Sequence, residues 1–176
     1  MRYEATNLKD ARLIHLEPAR DSRCFFSRTF CVDEFAAHGL ETNFPQHSVS
    51  CSTRKGTLRG MHFQREPHSE VKLVRCVKGA IWDVIIDIRP ASLTFGRWQG
   101  FELTDQNCHQ LYIPKGFAHG FQTLTDNVEV NYLISERYIA EFASGLRHND
   151  LRFNIVWPLP VTEISAKDLQ WPDFVA

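Results

Sequence analysis

The patterns that staple small secreted domains are missing from this chain. Its five cysteines, at positions 24, 31, 51, 76 and 108, are odd in number and scattered, and no C-x-x-C occurs. That argues against a disulfide framework or a structural zinc site and leaves reduced thiols packed as small hydrophobes. Long runs of one charge are missing too. Twenty basic residues face twenty-one acidic ones, a net charge of −1. A nucleic-acid or membrane-surface role has little support, so any anion must be handled by individual arginines and lysines. No apolar stretch approaches the ~20 residues that a membrane-spanning helix needs. The opening residues, MRYEATNLKDARLIHLEP, are charged throughout and hold no apolar h-region. A secretory signal is therefore not expected, and the cytoplasm is the expected location. No internal repeat, low-complexity tract or linker stands out.

What is present suits one globular domain over residues 1–176, long enough for a real core. Hydrophobic residues make up 43% and charged residues 23%, and thirteen phenylalanines and four tryptophans supply bulky core material. The middle of the chain is strand-like. From Ala80 to Ile88 the even positions are Ala80, Trp82, Val84, Ile86 and Ile88, and the odd ones are Ile81, Asp83, Ile85 and Asp87. This period of two predicts a strand with one dry face and one mixed face. Further strands are predicted at 57–63, 72–77, 98–103, 110–113, 120–124 and 128–134, with RPAS, TDQN, PKG and TDN as turns between them. Many short strands at this spacing favour an all-β sandwich or barrel. Helix signals are few: DEFAAHG (33–39) reads as a short capped helix, and SAKDL (165–169) as a brief helical turn.

Two fragments concentrate the chemistry, RGMHFQ (59–64) and YIPKGFAHGF (112–121). Each sets a histidine beside glycine in a strand-like context, with positive charge nearby from Arg59 or Lys115. His62 reads either as a buried histidine satisfied by a backbone partner or as a general base, since an imidazole with a pKa near 6.5 moves protons well at neutral pH. A base needs a carboxylate to orient it, and Asp168 and Asp83 are the candidates. Each also has a plain structural reading. Ser165-x-x-Asp168 resembles a capping box, and Asp83 can pair with a neighbouring strand. Pro114-x-Gly116-x-x-His119 matches the second cupin motif, but the first region offers His62, His68 and Glu70 without His-x-His, so a three-histidine metal site is poorly supported. Tyr132 and Tyr138, on either side of LISER, share parity if the strand extends that far. They read as packing, or as a proton donor and a stacking ring. Lys72 is a solvated strand lysine or, pointing inward, a fixed charge for a developing oxyanion.

Taken together, KGTLRGMHFQ, KLVRCVKGAIWDVIIDIRPAS, YIPKGFAHGFQTL, NYLISERY and ISAKD, in that order, resemble the dTDP-4-dehydrorhamnose 3,5-epimerase family of sugar-nucleotide enzymes. The resemblance runs from about residue 19 to residue 174. It implies a cupin-type jelly roll (double-stranded β-helix) with a few short helices, usually a homodimer, and neither metal nor other cofactor. It implies a nucleotide-sugar substrate, a 4-keto-6-deoxyhexose inverted at C3 and C5 through an enolate. His62 is then the base, Tyr132 the acid, Asp168 the partner that orients His62, and Lys72 the stabiliser of the enolate oxygen. Arg23, Arg59, His119 and Lys167 match substrate-contacting positions, Tyr138 matches the ring that stacks on thymine, and Asp83 matches an aspartate near the site. A C3-only or C5-only epimerase on a related deoxysugar would use the same residues. A metal-dependent cupin, with His119 as a ligand, is the reading from a different class. The chain also departs from the family pattern. Cys24 stands where glycine is usual, Arg28 and Ala143 where acidic contacts are common, and His148 where tryptophan is common. QHSVSCSTRKG is one residue longer than the usual loop.

Overall fold

The 80–88 segment forms a strand as far as Asp87, with its odd positions wholly buried and its even ones buried from Val84 on. The structure, a computed structural model, describes residues 1–175. In chain order its strands are β1 (Arg2–Ala5), β2 (Arg12–His15), β3 (Ala19–Asp21), β4 (Cys24–Phe26) and β5 (Gln46–Ser52). There follow β6 (Thr57–Gln64), β7 (Lys72–Lys78), β8 (Ala80–Asp87), β9 (Trp98–Thr104) and β10 (His109–Ile113). The last are β11 (Phe117–Thr123), β12 (Val128–Ile134), β13 (Ala143–Gly145) and β14 (Glu163–Ile164). The helices are α1 (Val32–Ala37) and α2 (Ala166–Leu169). On β8 the mixed set Ile81, Asp83, Ile85 and Asp87 is wholly buried, which corrects the expectation of one dry face. Val84 and Ile86, on the other face, pack under Leu146, Phe153 and Phe174 of the C-terminal segment.

Two sheets face each other. One has the order β1-β2-β10-β7-β12-β5, and the other β13-β6-β11-β8-β9, with β14 alongside β6. Between them Val74, Leu111, Ile113 and Val130 of the first sheet meet Ile81, Ile85, Phe101 and Phe121 of the second. Burying each such side chain stabilises the fold by about 1.5–3 kcal/mol. The buried aspartates of β8 are covered individually. Asp87 accepts from Arg89 Nη2 at 2.8 Å, Ser92 Oγ at 2.5 Å and Thr94 Oγ1 at 2.6 Å. The outer face of the first sheet is closed by α1, whose Phe35 is fully buried among Ile14, Leu73 and Tyr112. This helix starts at Cys31 without a side-chain cap and ends before Gly39, at φ +66°. Among the described residues, no helix is long and apolar enough to cross a membrane.

The glycines of the two histidine fragments set how closely β6 and β11 approach. Gly60 has φ +143°, and a Cβ on it would lie 2.5 Å from Gly120 Cα. A Cβ on Gly120 would lie 2.7 Å from both Arg59 O and Met61 Sδ. The register resumes at once with His119 directly opposite His62. Gly120→Ala is therefore expected to push the two strands apart and to cost about 1–3 kcal/mol, as overpacking does. Urea unfolding monitored by tryptophan fluorescence measures the loss.

Candidate active site

The two sheets enclose a cavity of about 580 Å³ where the apolar core gives way to polar side chains. His62, from β6, forms part of one wall. Its Nε2 lies 2.6 Å from Asp168 Oδ1. Burial works against charge on Asp168, but the hydrogen bond and charge of His62, the Gly60 N–H at 3.4 Å and the Trp171 indole N–H at 3.2 Å outweigh it. The carboxyl is held below its ordinary value and is ionised at neutral pH. An ionised carboxylate only accepts, so His62 Nε2 donates to it. Only half of the capping box forms, and the orienting reading of Asp168 has its contact. Ser165 Oγ accepts from the Asp168 N–H at 3.0 Å and caps α2, while the carboxylate turns to His62 rather than back to the Ser165 amide.

Tyr132 comes from β12, on the opposite sheet. Burial keeps its phenol protonated far above neutral pH, more strongly than its hydrogen bond with Ser50 Oγ at 3.0 Å pulls the other way. Its ring stands edge-on to His119, with centroids 6.3 Å apart. Lys72, from β7, points inward. Its Nζ lies 2.9 Å from Glu70 Oε1 and donates to the His62 carbonyl at 3.2 Å. Arg59 is pinned to β5 through Ser52 Oγ and the Cys51 carbonyl. Lys167 lies over the Trp171 ring at 5.5 Å. Tyr138 lies beyond the end of β12, so the shared parity with Tyr132 does not apply. Its exposed ring sits at the cavity rim, its N–H bonded to the Gln46 side chain.

Two of the expected residues stand elsewhere. Asp83 does not line the cavity; it lies behind His119, with Oδ1 2.7 Å from the imidazole Nε2, and is fully buried. Its other oxygen has no partner among the described residues. Arg23 lies in the exposed β3–β4 hairpin, paired with Asp21 at 2.6 Å, and does not reach this cavity. Ser50 and Trp171 were not singled out from the sequence, and Glu70 was weighed only as the glutamate of a metal motif. Ser50 holds the Tyr132 phenol, Trp171 braces Asp168 and stands edge-on to His62, and Glu70 pairs with Lys72. Among the described residues, no group of three His, Cys, Asp or Glu side chains could hold a metal ion.

The family model for dTDP-4-dehydrorhamnose 3,5-epimerase matches residues 5–176. The chain belongs to the dTDP-4-dehydrorhamnose 3,5-epimerase family. A member from Methanothermobacter thermautotrophicus is 43% identical over 173 residues, 97% of this chain and 92% of that one. The crystal structure of a member from Bacillus anthracis str. Ames, with TDP and PPi bound, is 39% identical with a TM-score of 0.96, covering 98% of this chain and 99% of that chain. A dTDP-6-deoxy-D-glucose-3,5-epimerase from Legionella pneumophila Philadelphia 1, in complex with dTDP-4-keto-L-rhamnose, is 33% identical with a TM-score of 0.93, covering 98% and 92%. The two facing sheets are accordingly the cupin jelly roll of dTDP-4-dehydrorhamnose 3,5-epimerases, which are isomerases.

The departures from the family pattern have structural readings. In the QHSVSCSTRKG segment β5 pairs with β12 from Gln46 to Ser52 without a shift, and Gln46 lines the cavity. Arg28 pairs with Glu34 of α1 at 3.2 Å. Ala143 lines the cavity on β13, whereas Glu141 is exposed and does not. His148 lends its carbonyl to the Trp157 indole at 2.9 Å. Cys24 has φ +127°, a conformation that favours glycine and strains a side chain by about 1–3 kcal/mol. Cys24→Gly is expected to raise stability by up to about 1 kcal/mol, once glycine's own entropy cost is deducted. The shift of the urea midpoint checks it.

Proposed function

We propose that the chain inverts C3 and C5 of a dTDP-linked 4-keto-6-deoxyhexose, as a step in making a rhamnose-type deoxysugar. The ketone at C4 acidifies the C–H bonds on both sides of it. His62 Nδ1 takes the proton from one carbon, and the electron pair moves onto the C4 oxygen. Lys72 holds that enolate oxygen with a charge-assisted hydrogen bond. The Tyr132 O–H returns a proton from the opposite face, so the centre inverts; the phenolate regains a proton from water by way of the Ser50 hydroxyl, and His62, open to solvent, gives its acquired proton back to water. The same cycle at the second carbon completes the reaction. The substrate's own ketone is the electron sink, so the cycle uses no cofactor. Arg59 and Lys167 serve the diphosphate, Tyr138 stacks on the base at the rim, and His119, oriented by Asp83, contacts the sugar.

The observation that carries this reading is the placement of His62 and Tyr132 on opposite sheets of one cavity, with Lys72 bonded to the carbonyl of His62 itself. General acid and base groups so placed are each worth about 10²–10⁴-fold. We propose further that the active form is a homodimer in which Arg23 serves the partner's site. The cavity of one chain sets Arg59, Lys72 and Lys167 against Glu70, Glu136, Glu163 and Asp168, a weak field for a diphosphate. The hairpin that carries Arg23 also exposes Phe25 and Phe26, the latter 78% accessible.

The test is incubation with dTDP-4-keto-6-deoxyglucose in D2O, followed by NMR. Deuterium at C3 and C5, with both centres inverted, is the expected result. Exchange at one carbon only would assign the mono-epimerase reaction, and no exchange would overturn the reading.

A further inference from the structure

One buried charge in the cavity has no role in the steps above. Glu70 lies in the connection from β6 to β7, and its side chain is only 6% exposed. A carboxylate that deep is costly unless both oxygens are engaged, and here they are. Oε1 lies 2.9 Å from Lys72 Nζ, and Oε2 accepts the Gln64 backbone N–H at 3.0 Å. The Lys72 ammonium has three hydrogens to place. One faces Glu70 and one the His62 carbonyl at 3.2 Å; the third has no partner among the described residues, and Lys72 lines the cavity.

We propose that Glu70 is a positioning residue for Lys72, holding its ammonium against β6 so that the one free N–H is aimed at the substrate's ketone oxygen. This rests on the epimerase reading above. A lysine ends in a flexible four-carbon stem, and left alone its charge spreads over many rotamers. Electrostatic stabilisation of an enolate depends on a donor that is already in place when charge develops. Glu70 supplies that fixity, and by a particular route. His62 and Gln64 belong to β6, in one sheet, and Lys72 belongs to β7, in the other. The clamp through Glu70 therefore holds the stabiliser in register with the strand that carries the base.

The experiment is a double-mutant cycle with Glu70→Ala, Glu70→Gln and Lys72→Met, read as kcat and KM on the keto sugar. Glu70→Ala is expected to lower kcat about 10–100-fold with KM within about threefold, the pattern of an interaction that matters in the transition state. Glu70→Gln, whose amide oxygen still accepts from Lys72, recovers most of that loss. In the Lys72→Met background, Glu70→Ala costs nothing more, because the partner it acts through is gone. Equal costs in both backgrounds, or a change in KM alone, would overturn the proposal. A second arm needs no turnover. In ¹H–¹⁵N spectra of lysine ammonium groups, the native protein is expected to show a protected resonance that is absent from Lys72→Met. It disappears in Glu70→Ala and persists in Glu70→Gln, and its persistence in Glu70→Ala would overturn the proposal. If the native protein exchanges no deuterium, the epimerase reading fails, while this second arm still decides the role of Glu70. Glu70→Ser, which can serve the Gln64 amide, replaces the alanine variant if that one does not fold.

Discussion

His62→Ala is expected to abolish deuterium uptake at both carbons, whereas Tyr132→Phe leaves uptake measurable and abolishes inversion. The difference follows from where the two groups sit. His62 is oriented toward the cavity by an ionised carboxylate, Asp168 at 2.6 Å. Without the imidazole no proton leaves carbon, and the loss is about 10³-fold or more, at the upper end of what a general base contributes. Tyr132 acts after the proton has gone. Its removal leaves His62, Asp168 and Lys72 intact, so the enolate still forms. The His62 side chain is 44% exposed, so its acquired proton exchanges with solvent before it returns. Return from the same face restores the original configuration with deuterium in place. An NMR time course in D2O separates the outcomes, with isotope at the carbon scored against the coupling constants that report configuration. If Tyr132→Phe still inverts either centre, the proton on that face comes from another group. Asp168→Asn is the companion variant. It keeps the shape but offers its amide to the imidazole, which favours the wrong tautomer, and it is expected to behave like a weaker His62→Ala.

The sequence disclosed much of this arrangement, and where it failed the reasons are physical. Strands β6 to β12 announced themselves because each has a face in the dry core. Strand β5 did not. Its positions Ser48 and Ser50 line the polar cavity and Ser52 meets the Arg59 guanidinium rather than core, while His47, Val49 and Cys51 are exposed at a sheet edge. Hydrophobic periodicity cannot see a strand with no dry face. Ser50, the partner of the Tyr132 phenol, was hidden with it. Glu70 was hidden differently: beside His62 and His68 it reads as the glutamate of a metal motif, and only the folded chain sets it against Lys72. On β8, Asp83 and Asp87 gave the face a mixed look, yet that face is fully buried, because His119 covers one carboxylate and Arg89, Ser92 and Thr94 cover the other. The Ser165-x-x-Asp168 spacing was legible as a cap, but only the fold shows that the carboxylate is free to turn to His62. Resemblance supplied Arg23 as a substrate contact, and the structure moves it outside this chain's own cavity.

Mixing one impaired and one inactive variant is expected to restore activity if Arg23 works across a dimer. Arg23→Ala alone should lower kcat/KM about 10–100-fold, the value of one charge-assisted contact to a phosphate. His62→Ala alone is inactive. In a two-fold symmetric dimer that exchanges subunits freely, half the dimers in an equal mixture carry one chain of each kind. In such a dimer the intact His62 belongs to the Arg23→Ala chain, and the intact Arg23 belongs to its partner. Arg23 acting in trans gives that site a full set, and about one site in four across the mixture is native, so about a quarter of native activity returns. Arg23 acting in cis gives no intact site, because one chain lacks the base and the other lacks the arginine. The mixture then shows only the residual activity of the Arg23→Ala chains. The measurement is initial rate against mixing ratio after brief partial unfolding and refolding together, with sedimentation to count the subunits. A rise well above the Arg23→Ala baseline places the exposed hairpin in the neighbouring site. A flat response with a confirmed dimer means that Arg23 serves no second copy, and that the cavity meets its diphosphate with Arg59 and Lys167 alone.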